Sequence, residues 1–309
     1  MPNPYSQIAE REKKNAALSS VIAAIGLTSF KIIVGIATGS LGILAEAAHS
    51  GLDLVAALVT FLAVQFSDKP ADSGHLYGHG KVENISALFE TVLLLITCAW
   101  IIYEARQRLF FKTVQIEVNV WAFIVMITSI VIDYSRSRVL YKAARKHNSQ
   151  ALEADALHFS TDIWSSSVVI IGLICVKIGE WNPPWVFLHK ADSLAALGVA
   201  LIVVFVSIEL GIRTIQALLD VAPPGKVEEI TRIVEAVPGV INCHNIRVRY
   251  SGPYLYIDTH ILIDGNQSVE QGHAITEMIE EAIRKNSPEA DVTVHFEPAP
   301  VGDKNLPAF

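Results

Sequence analysis

Two stretches of the chain repeat one pattern. Ala47-Ala48-His49-Ser50-Gly51-Leu52-Asp53-Leu54 and Ala156-Leu157-His158-Phe159-Ser160-Thr161-Asp162-Ile163 both contain HxxxD. On a helix, residues i and i+4 lie one above the other on one face. Two such helices facing each other would aim two imidazoles and two carboxylates at one centre, a donor set that suits tetrahedral Zn2+. Taken singly, either pair is equally a His–Asp hydrogen bond that staples its helix. The repetition in two apolar segments points to a shared centre.

A second constellation is Asp72-Ser73-Gly74-His75-Leu76-Tyr77-Gly78-His79-Gly80-Lys81-Val82-Glu83, where Asp72, His75 and His79 fall within eight residues among glycines that let the backbone turn round a small ion. A third lies near the C-terminus, where His244, His260, His273 and His295 make up four of the ten histidines and Glu297 follows the last by two. His295 and Glu297 share one face of a strand and His260 lies on a neighbouring strand. Solvated loop and surface residues are the plain alternative for both groups. Cys243, beside His244, reads as a packing residue.

These residues need elements to hold them. Of 309 residues, 51% are hydrophobic and only 18% charged, against about 25% charge in soluble domains. A hydrocarbon layer needs roughly 20 apolar helical residues. Six such stretches run approximately Ala16–Ala37, Leu41–Phe66, Ile85–Tyr103, Val118–Leu140, Ala156–Ile178 and Ala191–Ile212. The first is too long for a secretory signal and carries Lys31. Glu46, Glu90, Asp133, Asp155 and Asp192 also fall in or beside spans; each alone reads as a helix-end or interhelical contact, and Asp155 is placed to line a path to His158.

Six spans put both ends on one side. Ten cations, among them Arg11, Lys13, Lys14, Lys69, Lys81 and the Arg136–Lys146 group, flank that side, against five on the other (Arg106, Arg108, Lys112, Lys177, Lys190). The positive-inside bias places both termini in the cytoplasm. Trp181, Pro183, Pro184 and Trp185 fit an external interfacial loop. From Asp220 onward the chain holds 14 acidic and 7 basic residues, which accounts for the whole net charge of −7. This division gives a membrane domain, 1–219, and a soluble acidic domain, 220–309, for which periodicity predicts αββαβ: a helix at Lys226–Ala236, strands at Asn245–Tyr250 and Tyr254–Ile263, a helix from Ser268 and a strand at Asp291–Phe296. The acidic balance argues against a nucleic-acid partner. Three scattered cysteines exclude a disulfide scaffold.

The six spans, the paired HxxxD, the DxxHxYGHGKxE loop and a tail ending in Val294-His295-Phe296-Glu297-Pro298 together resemble the cation diffusion facilitators over nearly the whole length. The resemblance implies a six-helix membrane domain with a metallochaperone-like cytoplasmic domain, a homodimer in a bacterial cytoplasmic (inner) membrane, and export of divalent metal in exchange for protons. It implies that His49, Asp53, His158 and Asp162 form the transport site, that Asp72, His75 and His79 form a loop site, and that His244, His260, His273, His295 and Glu297 form cytoplasmic sites. It also implies that Lys81 pairs with an acid at the end of the sixth helix, for which Asp220 is the candidate. The tail departs from the family pattern at Phe296, where a polar residue is usual, and at Glu297, where aspartate is usual, so one cytoplasmic metal is expected rather than two.

Imidazole mixed with carboxylate favours Zn2+, Fe2+, Co2+ or Cd2+ over all-oxygen metals, and Zn2+ is the expected substrate and regulator. An intramembrane metalloenzyme would need an open position and a base, typically HExxH, which does not occur in the chain. A metal sensor merely anchored by its spans leaves the polar residues inside two of them unexplained.

Overall fold

The computed structural model describes residues 4–110, 120–181 and 188–299. Six long helices come first: α1 (Pro4–Thr38), α2 (Leu41–Ser67), α3 (Lys81–Phe110), α4 (Val120–His147), α5 (Gln150–Trp181) and α6 (Leu188–Leu218). Among the described residues, five are long and apolar enough to cross a membrane. The remaining one, α5, carries His158 and Asp162 in a first half that also holds Glu153, Asp155, Ser160 and Thr161. The expected external loop falls outside the described residues at Pro183, Pro184, Trp185 and Lys112. The side chains of Trp181, Arg108, Lys177, Lys190 and Asp192 are likewise not described.

The helices pair closely as α1 with α2, α3 with α6 and α4 with α5, and α2 also meets α5. Small residues set that closeness. Ala57, Ala144, Ala151 and Ala156 are buried with Val64, Leu140, Leu152 and Phe159 in one cluster where α1, α2, α4 and α5 meet, as expected where backbones approach in a bilayer. The outward faces are apolar, with Ile22, Ile33, Ile36, Leu52, Ile96, Trp100, Ile202 and Phe205 all exposed. Ser40 caps α2 by accepting from the Ile43 amide.

Beyond Asp220 the order is α7 (Lys226–Glu235), β1 (Asn242–Ser251), β2 (Tyr254–Ile263), α8 (Val269–Asn286) and β3 (Ala290–Pro298). β2 is central, antiparallel to β1 and parallel to β3, so α8 is the crossover that a parallel pair requires. Ile230 and Val234 of α7, Ile275, Ile279 and Ile283 of α8 and Val248, Leu255, Ile257, Ile261 and Val292 of the sheet form its core. Each such side chain contributes roughly 1.5–3 kcal/mol on burial. A capping box between Ser268 and Gln271 starts α8. β1 begins three residues before its predicted start because the register shifts between His244 and Arg247, with Asn245 at φ 50°. A bulge of this kind breaks the alternation that marks a strand.

Candidate metal centres

The four HxxxD residues come together. The Nε2 of His158 on α5 lies 3.1 Å from Asp53 Oδ1 on α2 and 3.7 Å from Asp162 Oδ2. His49 Nε2 lies 3.9 Å from both Asp53 Oδ1 and Asp162 Oδ1. His49, Asp53 and Asp162 each offer a ligand atom within 4.8 Å of the others, and His158 joins this group through its contacts with the two aspartates. The set is lopsided in access. The His49 side chain is 44% exposed, whereas that of His158 is 8%.

Buried polar partners hold this centre in place. Lys31 of α1 donates to Ser50 Oγ at 2.8 Å and pairs with Glu46 at 3.3 Å, so Glu46 is a countercharge beside the site. Arg136 of α4 pairs with Asp133 at 3.2 Å, stacks over the Phe159 ring at 3.5 Å and donates to Ser20 at 3.1 Å. Ser20 in turn donates to Asp155 at 3.2 Å, and Thr60 donates to Glu90. Glu46, Asp155 and Glu90 have interhelical partners, Asp133 pairs within α4, and both Asp155 and Glu90 are fully buried.

The loop group is compact. Asp72 Oδ1 accepts from the amides of Gly74 at 2.9 Å and His75 at 2.7 Å, and these donors hold its carboxyl below the usual carboxylate range. His75 Nδ1 lies 3.2 Å from Asp72 Oδ1 and His79 Nε2 lies 3.3 Å from its Oδ2, with the two rings 4.3 Å apart. Gly78, at φ 73°, supplies the left-handed turn between them.

In the sheet, His244 stands opposite His260, and His260 opposite His295, so three imidazoles form one row across three strands. Glu297 reaches back along the same face: its Oε1 is 2.9 Å from His260 Nδ1 and 3.6 Å from His295, and its Oε2 is 3.5 Å from His244. His260 foremost, then its neighbours, hold the Glu297 carboxyl below its ordinary value. His273 does not join them. It sits on the exposed side of α8 at 3.6 Å from Glu277, because the helix turns Gly272, Ile275, Thr276 and Ile279 toward the sheet. Cys243 points to the core, and burial pushes its thiol up to about 11, so it stays protonated.

Lys81 Nζ lies 2.9 Å from Asp220 at the end of α6 and donates to the Leu218 carbonyl at 3.2 Å. Around that pair is a joint that spacing did not reveal. Arg249 of β1 pairs with Asp220 at 3.3 Å and lies over the rings of Tyr77 and Tyr256, and the Tyr256 hydroxyl donates to the Tyr77 carbonyl at 2.8 Å. The Gly252 amide donates to Asn84 Oδ1 at 2.9 Å. A Cβ at Gly80 would overlap the Ser251 carbonyl, so the loop and the β1–β2 turn meet backbone to backbone. Gly80→Ala is expected to part them and speed hydrogen exchange at the Gly252 amide by about tenfold or more. Unchanged protection would mean that the two backbones are not in contact.

Residues 17–219 match the family model of the cation efflux transmembrane domain, and residues 222–299 match that of the cation efflux protein cytoplasmic domain. The chain belongs to the cation efflux family. Family membership makes it a cation efflux transporter of the membrane, as the paired His and Asp side chains inside the bundle lead one to expect. Among its relatives are the cation-efflux pump FieF of Salmonella arizonae, 31% identical over 314 residues that cover 100% of this chain and 99% of the relative, and FieF of Citrobacter koseri, 32% identical over 306 residues that cover 97% and 96%. Among solved structures, the copper form of the MamM CTD matches 28% of this chain and 97% of that one at 31% identity and TM-score 0.25. The Zn form of CzrB matches 26% and 94% at 25% identity and the same score.

Proposed function

We propose that this family member exports Zn2+ from the cytoplasm in exchange for H+, with His49, Asp53, His158 and Asp162 as the transport site. The observation that carries the reading is the meeting of two imidazoles and two carboxylates from α2 and α5 within 3.1–3.9 Å. Nitrogen and oxygen donors in equal number suit tetrahedral Zn2+. They also accept Fe2+, Co2+ and Cd2+, which compete for the role.

In this reading both termini lie in the cytoplasm. Metal displaces protons from the two imidazoles, Asp53 and Asp162 neutralise its charge, and a rocking of the helices exposes the site to the other side, where protons return. The Asp72–His75–His79 loop and the His244–His260–His295–Glu297 row would hold divalent cations from the cytoplasm. Residues 1–219 act as the transport domain and 220–309 as the metal-binding, dimerising domain of a homodimer, where bound cations lower the repulsion between two domains of net charge −7 each. Lys81 and Asp220 tie the two domains together.

Purified protein in sealed vesicles, offered Zn2+, Fe2+, Co2+ and Cd2+ separately, tests the assignment. Zn2+ is expected to move fastest and to carry protons the opposite way. Preference for Fe2+ would replace the cargo, and absence of metal-driven flux would remove the transport reading.

A further inference from the structure

Lys13 is 1% exposed, although it belongs to a run of cations that flanks a span. Its ammonium lies 2.5 Å from Asp68 and 2.9 Å from Glu83. Glu83 is itself fully buried, and it also accepts from Ser67 Oγ at 3.2 Å and from Ser149 Oγ. Ser149 caps the start of α5. One lysine on α1 therefore ties together the end of α2, the first turn of α3 and the start of α5, and α2 and α5 are the helices that carry the HxxxD pairs.

What lies on either side gives the cluster its meaning. Toward the C-terminal domain is a cavity of about 700 Å³ whose charged lining comprises the acids Glu10, Asp68, Glu289 and Asp291 and the cations Lys13, Lys146 and Arg284. Toward the HxxxD centre are Glu90 and Asp155, fully buried, each with one carboxylate oxygen (Oε2 and Oδ1) that has no hydrogen-bond partner. Carboxylates left in this way in a bundle are costly to keep charged unless a proton or a metal cation compensates them. Of the four HxxxD side chains His49 is the most exposed, and it lies in the opposite half of α2 from Asp68, the partner of Lys13. Lys13 and Asp68 form part of the cavity wall, whereas Glu83, fully buried, does not line it.

We propose that Lys13, clamped between Asp68 and Glu83, is the gate on the C-terminal-domain side of the transport path. While the clamp holds, the ends of α1, α2, α3 and α5 are drawn together and a cation in the cavity does not reach Asp155 and Glu90. When those ends separate, Lys13 leaves and the divalent cargo serves in passing as the countercharge of the same carboxylates. The inference rests on the transport reading above, and its test is read without flux, so the two can fail separately.

The test uses the full chain in membrane vesicles with Cys98, Cys175 and Cys243 replaced by alanine and a reporter, Ala87→Cys. Ala87 is fully buried on α3, one turn beyond Glu83 toward Glu90. A membrane-impermeant thiol reagent is applied from the side of the C-terminal domain. Labelling is expected to be slow with Lys13 intact and about tenfold or more faster in Lys13→Gln, because the unpaired acids repel and shift the population toward the open form. Exchanging the charges, Lys13→Glu with Asp68→Lys, should restore the slow rate. In the Lys13-intact reporter, Zn2+ supplied from the same side should also speed labelling, a measurement that does not depend on whether Lys13→Gln assembles. Equal labelling in Lys13→Gln and the intact protein, or no response of the intact protein to Zn2+, would overturn the gate. Fast labelling without metal flux would leave the gate and remove the cargo.

Discussion

Asp53→Ala or Asp162→Ala is expected to lower zinc flux in vesicles by about two orders of magnitude or more, while the protein still inserts and stays monodisperse. Losing a group that merely orients a metal ligand commonly costs about 10–100-fold in affinity, and each of these aspartates supplies an anionic donor itself. Asp53 is the more instructive of the two, since its Oδ1 faces both His158 at 3.1 Å and His49 at 3.9 Å. Without it, a bound cation keeps one carboxylate for two imidazoles and retains a net positive charge inside the bundle. The fold has little stake in the residue, because α2 is held by its small-residue contacts with α1 and by Ser40 at its start. His273→Ala provides the contrast. It lies exposed on α8, outside the histidine row, and flux should be unaltered. Wild-type flux in either aspartate variant would take the cargo site away from the α2–α5 contact.

The HxxxD spacing was readable because i and i+4 belong to one helix face, and its repetition made the meeting of α2 and α5 readable as well. Periodicity of two placed His260, His295 and Glu297 on one side of a sheet. His273 stands apart from the row for a geometric reason: being a histidine near other histidines says nothing about which side of α8 it occupies, and Gly272, Ile275, Thr276 and Ile279 take the inward side. His244 sits where the strand bulges, so the alternation that revealed its neighbours stops just short of it.

Long-range electrostatics was not legible. In sequence Lys13 is one of several cations at a membrane flank, yet its partners stand 55 and 70 residues away and no local pattern joins them. The same holds for Arg249, which looks like a surface strand residue until Tyr77 and Tyr256 close over it and Asp220 arrives from the end of α6. Residue type and spacing identified the groups proposed to bind metal ions. Which charges balance which emerged only from the packing.

A pH difference across the membrane is expected to drive the cargo as strongly as a metal gradient does. Imidazole must shed its proton to ligate, and its unperturbed pKa of about 6.5 places that step inside the physiological range. Two imidazoles, His49 and His158, face the aspartates, and under the proposed exchange metal taken up there displaces protons and metal released there lets them return. The sign follows directly. Acid on the receiving side reprotonates the imidazoles, weakens metal binding and speeds release, whereas acid on the supply side blocks loading. With the supply side at pH 7.5, lowering the receiving side from about 7.5 to about 5.5 should raise zinc flux several-fold. Collapsing the gradient with a proton-exchanging ionophore should remove that gain. A trapped pH indicator should report proton movement opposite to the metal, and Asp53→Ala should abolish both signals together, since metal and proton compete for one set of donors. Flux that ignores pH over this range would mean that His49 and His158 do not exchange protons for metal, and the Asp53–Asp162 pair would have to bind the cation while both imidazoles kept their charge.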